Sequence, residues 1–110
     1  MLTDVHSRKI SLPISISTTG DNVIVAGDND SWIYVHEVIG SLDAAGLMKI
    51  KSGTTDLAEF DLDAGQGLTE DDIPGDDGVP RFQCKPGDDF IINLPAGATF
   101  TGSVVYSRRF

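Results

Sequence analysis

The sequence predicts an all-β fold: an antiparallel β-sandwich, jelly-roll-like, of about nine short strands. Three observations lead there. Apolar and polar residues alternate with period two in short segments. Gly, Asp, Asn and Pro punctuate those segments at close intervals. No stretch repeats its apolar residues at helical spacing with caps at its ends. Many short antiparallel strands, each with one apolar face, have to close on themselves as two packed sheets or a barrel. At 110 residues the chain fits one domain, read as an N-terminal arm over residues 1–9 and a sandwich over residues 10–110.

Each element follows from its residues. Ile10, Leu12, Ile14 and Ile16 alternate with Ser11, Pro13, Ser15 and Ser17, and Pro13 marks this strand as an edge because it has no N–H for a ladder. Thr19-Gly20-Asp21-Asn22 reads as a turn into a strand over residues 23–26. Gly27-Asp28-Asn29-Asp30 turns again into the longest strand, residues 31–39. There strict alternation puts Trp32, Tyr34, His36 and Val38 on one face, and Ile33, Val35, Glu37 and Ile39 on the other. Apolar residues on both faces suggest a central strand, or one whose second face is covered by a partner. After a loop over residues 41–46, Met48 and Ile50 oppose Leu47, Lys49 and Lys51. Ser52-Gly53-Thr54-Thr55 makes a tight turn into residues 56–62, where Ala58, Phe60 and Leu62 form the apolar face. Gly65, Gln66 and Gly67 open a loop whose acidic stretch runs to Gly78. Phe82 to Cys84 and Phe90 to Leu94 are short strands. The last, residues 99–107, aligns Phe100, Gly102, Val104 and Tyr106 on one face.

The composition is globular, with 40% apolar and 23% charged residues. No apolar run approaches the roughly 20 residues of a membrane-spanning helix, and the residues after Arg8 and Lys9 alternate instead of forming a leader's apolar stretch. A soluble chain made in the cytoplasm is expected. The net charge of −9 disfavours nucleic acid, whose phosphates need clustered Lys and Arg. Between Asp56 and Val79 lie nine carboxylates and no base, whereas Arg8, Lys9, Arg108 and Arg109 gather near the two ends.

Residue patterns that carry chemistry are few. There is no Gly-rich phosphate loop, no zinc-spaced Cys pair and no nucleophile elbow. Cys84 stands alone, so no internal disulfide forms, and it reads as a small buried hydrophobe. His36 reads as a hydrogen-bonded packing histidine. Asp28-Asn29-Asp30-Ser31 is oxygen-rich but lacks the Gly and distal Glu of a calcium loop, and the carboxylates between Glu70 and Asp77 read as solvated. The expectation is therefore a binding protein without catalytic residues, cofactor or metal. Trp32, Tyr34 and Tyr106 are the aromatics available to a carbohydrate reader, and all three fit a core equally well.

The segments Met48-Lys49-Ile50-Lys51-Ser52-Gly53-Thr54-Thr55-Asp56-Leu57, Phe60 to Gly67, Pro80 to Phe90 and Thr101 to Tyr106 follow one another in an order and spacing that resemble small β-sandwich structural proteins of tailed bacteriophages. The similarity covers roughly residues 31 to 107, with the acidic stretch from Thr69 to Gly78 as an insertion. The resemblance implies a virion protein that decorates or cements the head, binds the major capsid protein and forms a homo-oligomer, dimer or trimer. Its place would be the capsid surface, after synthesis in the host cytoplasm. The alternative is a tail- or fibre-associated module that recognises a carbohydrate or receptor. A start at Met1 and an end straight after the last strand favour a stand-alone module. On the decoration reading, Arg8, Lys9, Ile10, Leu12, Arg108 and Arg109 are the expected partner-binding residues, because a weakly basic arm suits an acidic shell while an acidic loop is repelled by it.

Overall fold

Pro13 sits where a missing N–H is harmless. It lies in β1 (Ile10–Ile16), which pairs on one side with β9 (Phe100–Arg109), Pro13 facing Ser103. In this computed structural model, which describes residues 9–71 and 79–110, the other strands are β2 (Gly20–Val25), β3 (Trp32–Leu42), β4 (Gly46–Ser52), β5 (Thr55–Leu62), β6 (Gly67–Glu70), β7 (Phe82–Cys84) and β8 (Phe90–Leu94). The N-terminal arm, apart from Lys9, and the acidic residues 72–78 lie outside the described residues.

The described residues form two antiparallel sheets and no helix, packed as a β-sandwich. One sheet runs β1-β9-β3 and ends in β6 and β7, which both pair with the far edge of β3. The other runs β2-β8-β4-β5. Between them lies one core. β3 contributes Ile33, Val35, Val38 and Leu42, β4 Met48 and Ile50, β7 Phe82 and Cys84, β8 Phe90, Ile92 and Leu94, and β9 Phe100 and Val104. Burying each large apolar side chain contributes about 1.5–3 kcal/mol, so this contiguous cluster holds the two sheets together.

Three expectations about local structure are corrected. The strict alternation over β3 fails at His36: Val35 faces Tyr106 and Glu37 faces Val105, so His36 is the extra residue of a β-bulge. The phase shifts by one there. Ile33, Val35, Val38 and Leu42 all point inward, while Trp32 and Ile39 are exposed. His36 is buried all the same, its Nε2 2.8 Å from the Ser107 Oγ. Second, residues 67–70, read as loop, form β6, with Leu68 buried opposite Gly40. Third, the turn read at residues 19–22 is already strand from Gly20 on. Gly20 takes the corner at φ 91°, a left-handed conformation that glycine adopts at no steric cost. The Asn22 side-chain amide then donates to the Thr18 and Gly20 carbonyls at 2.8 and 3.1 Å.

The outer face of the β2-β8-β4-β5 sheet mixes the exposed Val23 and Leu47 with a paired polar cluster. Lys51 Nζ lies 3.2 Å from both Asp21 carboxylate oxygens, and Asn93 Nδ2 donates to Asp21 Oδ1 at 2.7 Å. The Asn93 bond above all, with Lys51 beside it, holds the Asp21 carboxyl below its ordinary value of 3.8. A carboxyl depressed in the folded state adds stability above its unfolded pKa and loses it as the pH falls through the folded one. Asp21→Asn is therefore expected to be less stable than the native chain at pH 7 and to flatten part of the decline in stability below about pH 4, the two converging at low pH. Urea unfolding across that range checks it, and an unchanged acid limb contradicts it.

Candidate functional site

Three connections meet at one end of the sandwich: residues 26–31 between β2 and β3, the Gly53-Thr54 turn between β4 and β5, and residues 85–89 between β7 and β8. Carboxylates tie them together. Asp89 Oδ1 accepts from the Gly27 N–H at 2.8 Å, and its carbonyl accepts from the Gly53 N–H at 2.9 Å. The Gly87 N–H donates to the Asp28 carbonyl at 2.7 Å. Gly27 has to be glycine, because a Cβ there would run into the backbone carbonyl of Asp88. Asp28 Oδ1 accepts from the Asp30 N–H at 2.8 Å and the Ser31 hydroxyl at 3.0 Å, and the Asp30 bond is the main cause of its lowered pKa. In the segment considered for calcium, this carboxylate is engaged in holding its own loop.

Beside this hub lies an open cleft of about 270 Å³ to which both sheets contribute, lined by Trp32, Ser52, Thr55, Leu57, Gln83, Lys85 and Asp88. The β3 bulge turns Trp32 out of the core to 42% exposure, and Leu57 on β5 of the other sheet, 37% exposed, also lines the cleft. The Ser52 hydroxyl, itself buried, donates to Asp88 Oδ2 at 2.9 Å and fixes that carboxylate. Sequence reasoning did not single out Leu57, Gln83, Lys85 or Asp88 as site residues. They come from separate strands and turns, and only the lone exposed tryptophan carried a signal.

Cys84 lies behind Ser52 and is fully buried. Burial, more than the nearby Asp88 and Asp89, pushes its thiol up from 9.0 to about 11 despite a hydrogen bond with Ser52. A raised thiol pKa means that the folded state prefers the protonated form. Its contribution is complete below about pH 9 and disappears as the pH rises to about 11, a loss on the order of 3 kcal/mol at about 1.4 kcal/mol per pKa unit. Cys84→Ala is expected to show a shallower alkaline decline, measured by urea unfolding between those limits. The native thiol should also resist alkylation at neutral pH, since the thiolate is the nucleophile.

The expected partner-binding residues are distributed as follows. Ile10 is 46% exposed and pairs with Tyr106, so the start of β1 lies at the same end as the close of β9. Lys9 immediately precedes it, and Arg8 lies outside the described residues. Arg109 faces Trp32 across the ladder, with its guanidinium 6.0 Å from the Tyr34 ring centroid. Arg108 turns to the loop hub, donating to the Ala26 carbonyl at 2.6 Å and to Asp28 Oδ2 at 3.3 Å. Leu12 is half-buried and packs on the core. Of the three aromatics, Tyr106 packs on the core whereas Trp32 does not. Compared with protein-family models, with curated proteins and with solved structures, the chain matches none.

Proposed function

We propose that this chain is a virion structural protein, a decoration or cement protein bound to the head of a tailed bacteriophage. One observation carries the reading: the segments that resemble such proteins coincide with the elements that build the sandwich. Lys51 to Thr55 is the β4–β5 hairpin, Phe82 to Cys84 is β7, Pro86 to Asp89 is the turn into β8, and Gly102 to Tyr106 is the middle of β9. The strand order adds support. Sheets ordered β1-β9-β3-β6/β7 and β2-β8-β4-β5 suit a jelly roll, an architecture used by capsid domains and also by lectins. The partner on this reading is the major capsid protein, and the chain assembles on the head as a dimer or trimer. Contact is made by the N-terminal arm, with Ile10, and by Arg109; of these, Lys9, Ile10 and Arg109 share one end of the five-stranded sheet.

Sedimentation of heads with added chain tests this. Deleting residues 1–9, or Arg109→Glu, is expected to lower occupancy about tenfold, the effect of losing about 1.4 kcal/mol of binding. Unchanged occupancy in both removes the arm and Arg109 as the contact, and a chain that stays in the supernatant removes the decoration reading. The second reading, a tail- or fibre-associated module that recognises a carbohydrate or receptor, is favoured by one specific observation: the exposed Trp32 at the mouth of a mixed polar and apolar cleft.

A further inference from the structure

The cleft beside the loop hub has the chemistry of a sugar subsite. Trp32 offers a flat apolar surface, and Leu57, also exposed, adds a second apolar side chain to the lining. The indole is carried on a strand whose first residue is paired with Arg109 and is preceded by the buried Ser31, hydrogen-bonded to Asp28. Its backbone is therefore set before any ligand arrives. The rest of the lining supplies acceptors and donors: the Asp88 carboxylate, held by Ser52 through Oδ2, the Gln83 amide, the Thr55 hydroxyl and the Lys85 ammonium.

A ligand that satisfies this set has a flat face of C–H groups and an edge of hydroxyls that both donate and accept. The lining carries one positive and one negative charge, Lys85 and Asp88, so the cleft is balanced and favours a neutral guest. An anionic guest would also meet the field of a chain with net charge −9. The volume of about 270 Å³ falls just short of the roughly 300–1,000 Å³ of pockets for drug-sized ligands, which suits a single ring whose neighbours remain in solvent. We infer that this cleft binds one neutral pyranose residue of a glycan, stacked on Trp32 and hydrogen-bonded by Asp88, Gln83 and Lys85. The inference rests on the recognition reading above and deepens it, and it is independent of whether the chain binds a phage head.

The chain holds one tryptophan, so indole fluorescence reports this cleft alone. The probes are the methyl glycosides of glucose, galactose, mannose and N-acetylglucosamine. At least one should change the fluorescence saturably, with a Kd on the order of 1–10 mM, the weak range of a single small ring. Saturation-transfer NMR then compares variants of the whole chain. Trp32→Ala is expected to abolish transfer, Trp32→Phe to keep part of it, and Gln83→Ala, on the exposed rim, to weaken binding about fivefold to tenfold. Asp88→Asn should weaken it similarly, and circular dichroism distinguishes lost binding from a disturbed hub. No saturable change with any of the four glycosides overturns the inference, as does undiminished transfer in Trp32→Ala. Neither result alters the sedimentation of the chain with heads, so the two readings fail separately.

Discussion

Gly102→Ala is expected to lower the unfolding free energy by about 3 kcal/mol, the upper end of what overpacking costs. Gly102 and Gly40 face each other across the β3–β9 ladder. A Cβ on Gly102 would run into the Ile39 carbonyl oxygen and lie 2.5 Å from the Gly40 Cα. Both obstacles are main chain, and β3 is gripped by β9 on one side and by β6 and β7 on the other, so neither can step aside without breaking a ladder. Gly67→Ala is the control. Its added methyl group would meet the Gly40 carbonyl oxygen at 3.8 Å, an ordinary contact, and Gly67 has no left-handed backbone. It should change stability by no more than about 0.5 kcal/mol. Urea midpoints at unchanged m compare the two, and equal stability of Gly102→Ala and wild type would show that the strands can move apart.

Phe100→Ala is expected to cost about 3–5 kcal/mol, the range for deleting a buried phenyl ring. Phe100 has no exposed surface and faces Ile16 on β1 and Leu42 on β3 in register. Its ring also lies over Gly40, where an added Cβ would sit 2.7 Å from Phe100 Cζ. The absent side chain at Gly40 is the space the ring fills. Small domains are stable by about 5–15 kcal/mol in all, so this one truncation removes a large share. A thermal melt lowered by less than a few degrees would mean that the cavity collapses.

The inward faces of β1, β4 and β9, and of β5 from Ala58 to Leu62, were legible in the alternation of their residues; the register shift that leaves Leu57 as an extra residue of β5 was not. Nor was β3. Its bulge at His36 inserts a residue with no glycine or asparagine to announce it, and the inserted histidine is then buried against Ser107 from the far end of the chain. That single residue decides the character of the site. With strict alternation Trp32 shares a face with Val38 and belongs to the core; with the bulge Val38 is buried and Trp32 is free to line a cleft. β6 was invisible for a different reason, since its four residues bury one apolar side chain, Leu68, too little for a periodic signal. The cleft itself joins residues 32, 52–57 and 83–88, and only long-range pairing brings these together.

The position of β9 has a consequence for how the protein is made. It follows all the other strands in the chain, yet it lies between β1 and β3. While the chain is being synthesised, β1 has no neighbour in its sheet, and β3 lacks the partner along most of one side. Their apolar faces wait for β9 to leave the ribosome. The last strand completes the sheet, so the nascent chain stays open to holding chaperones and to cleavage until then, and the sandwich closes only after translation of β9.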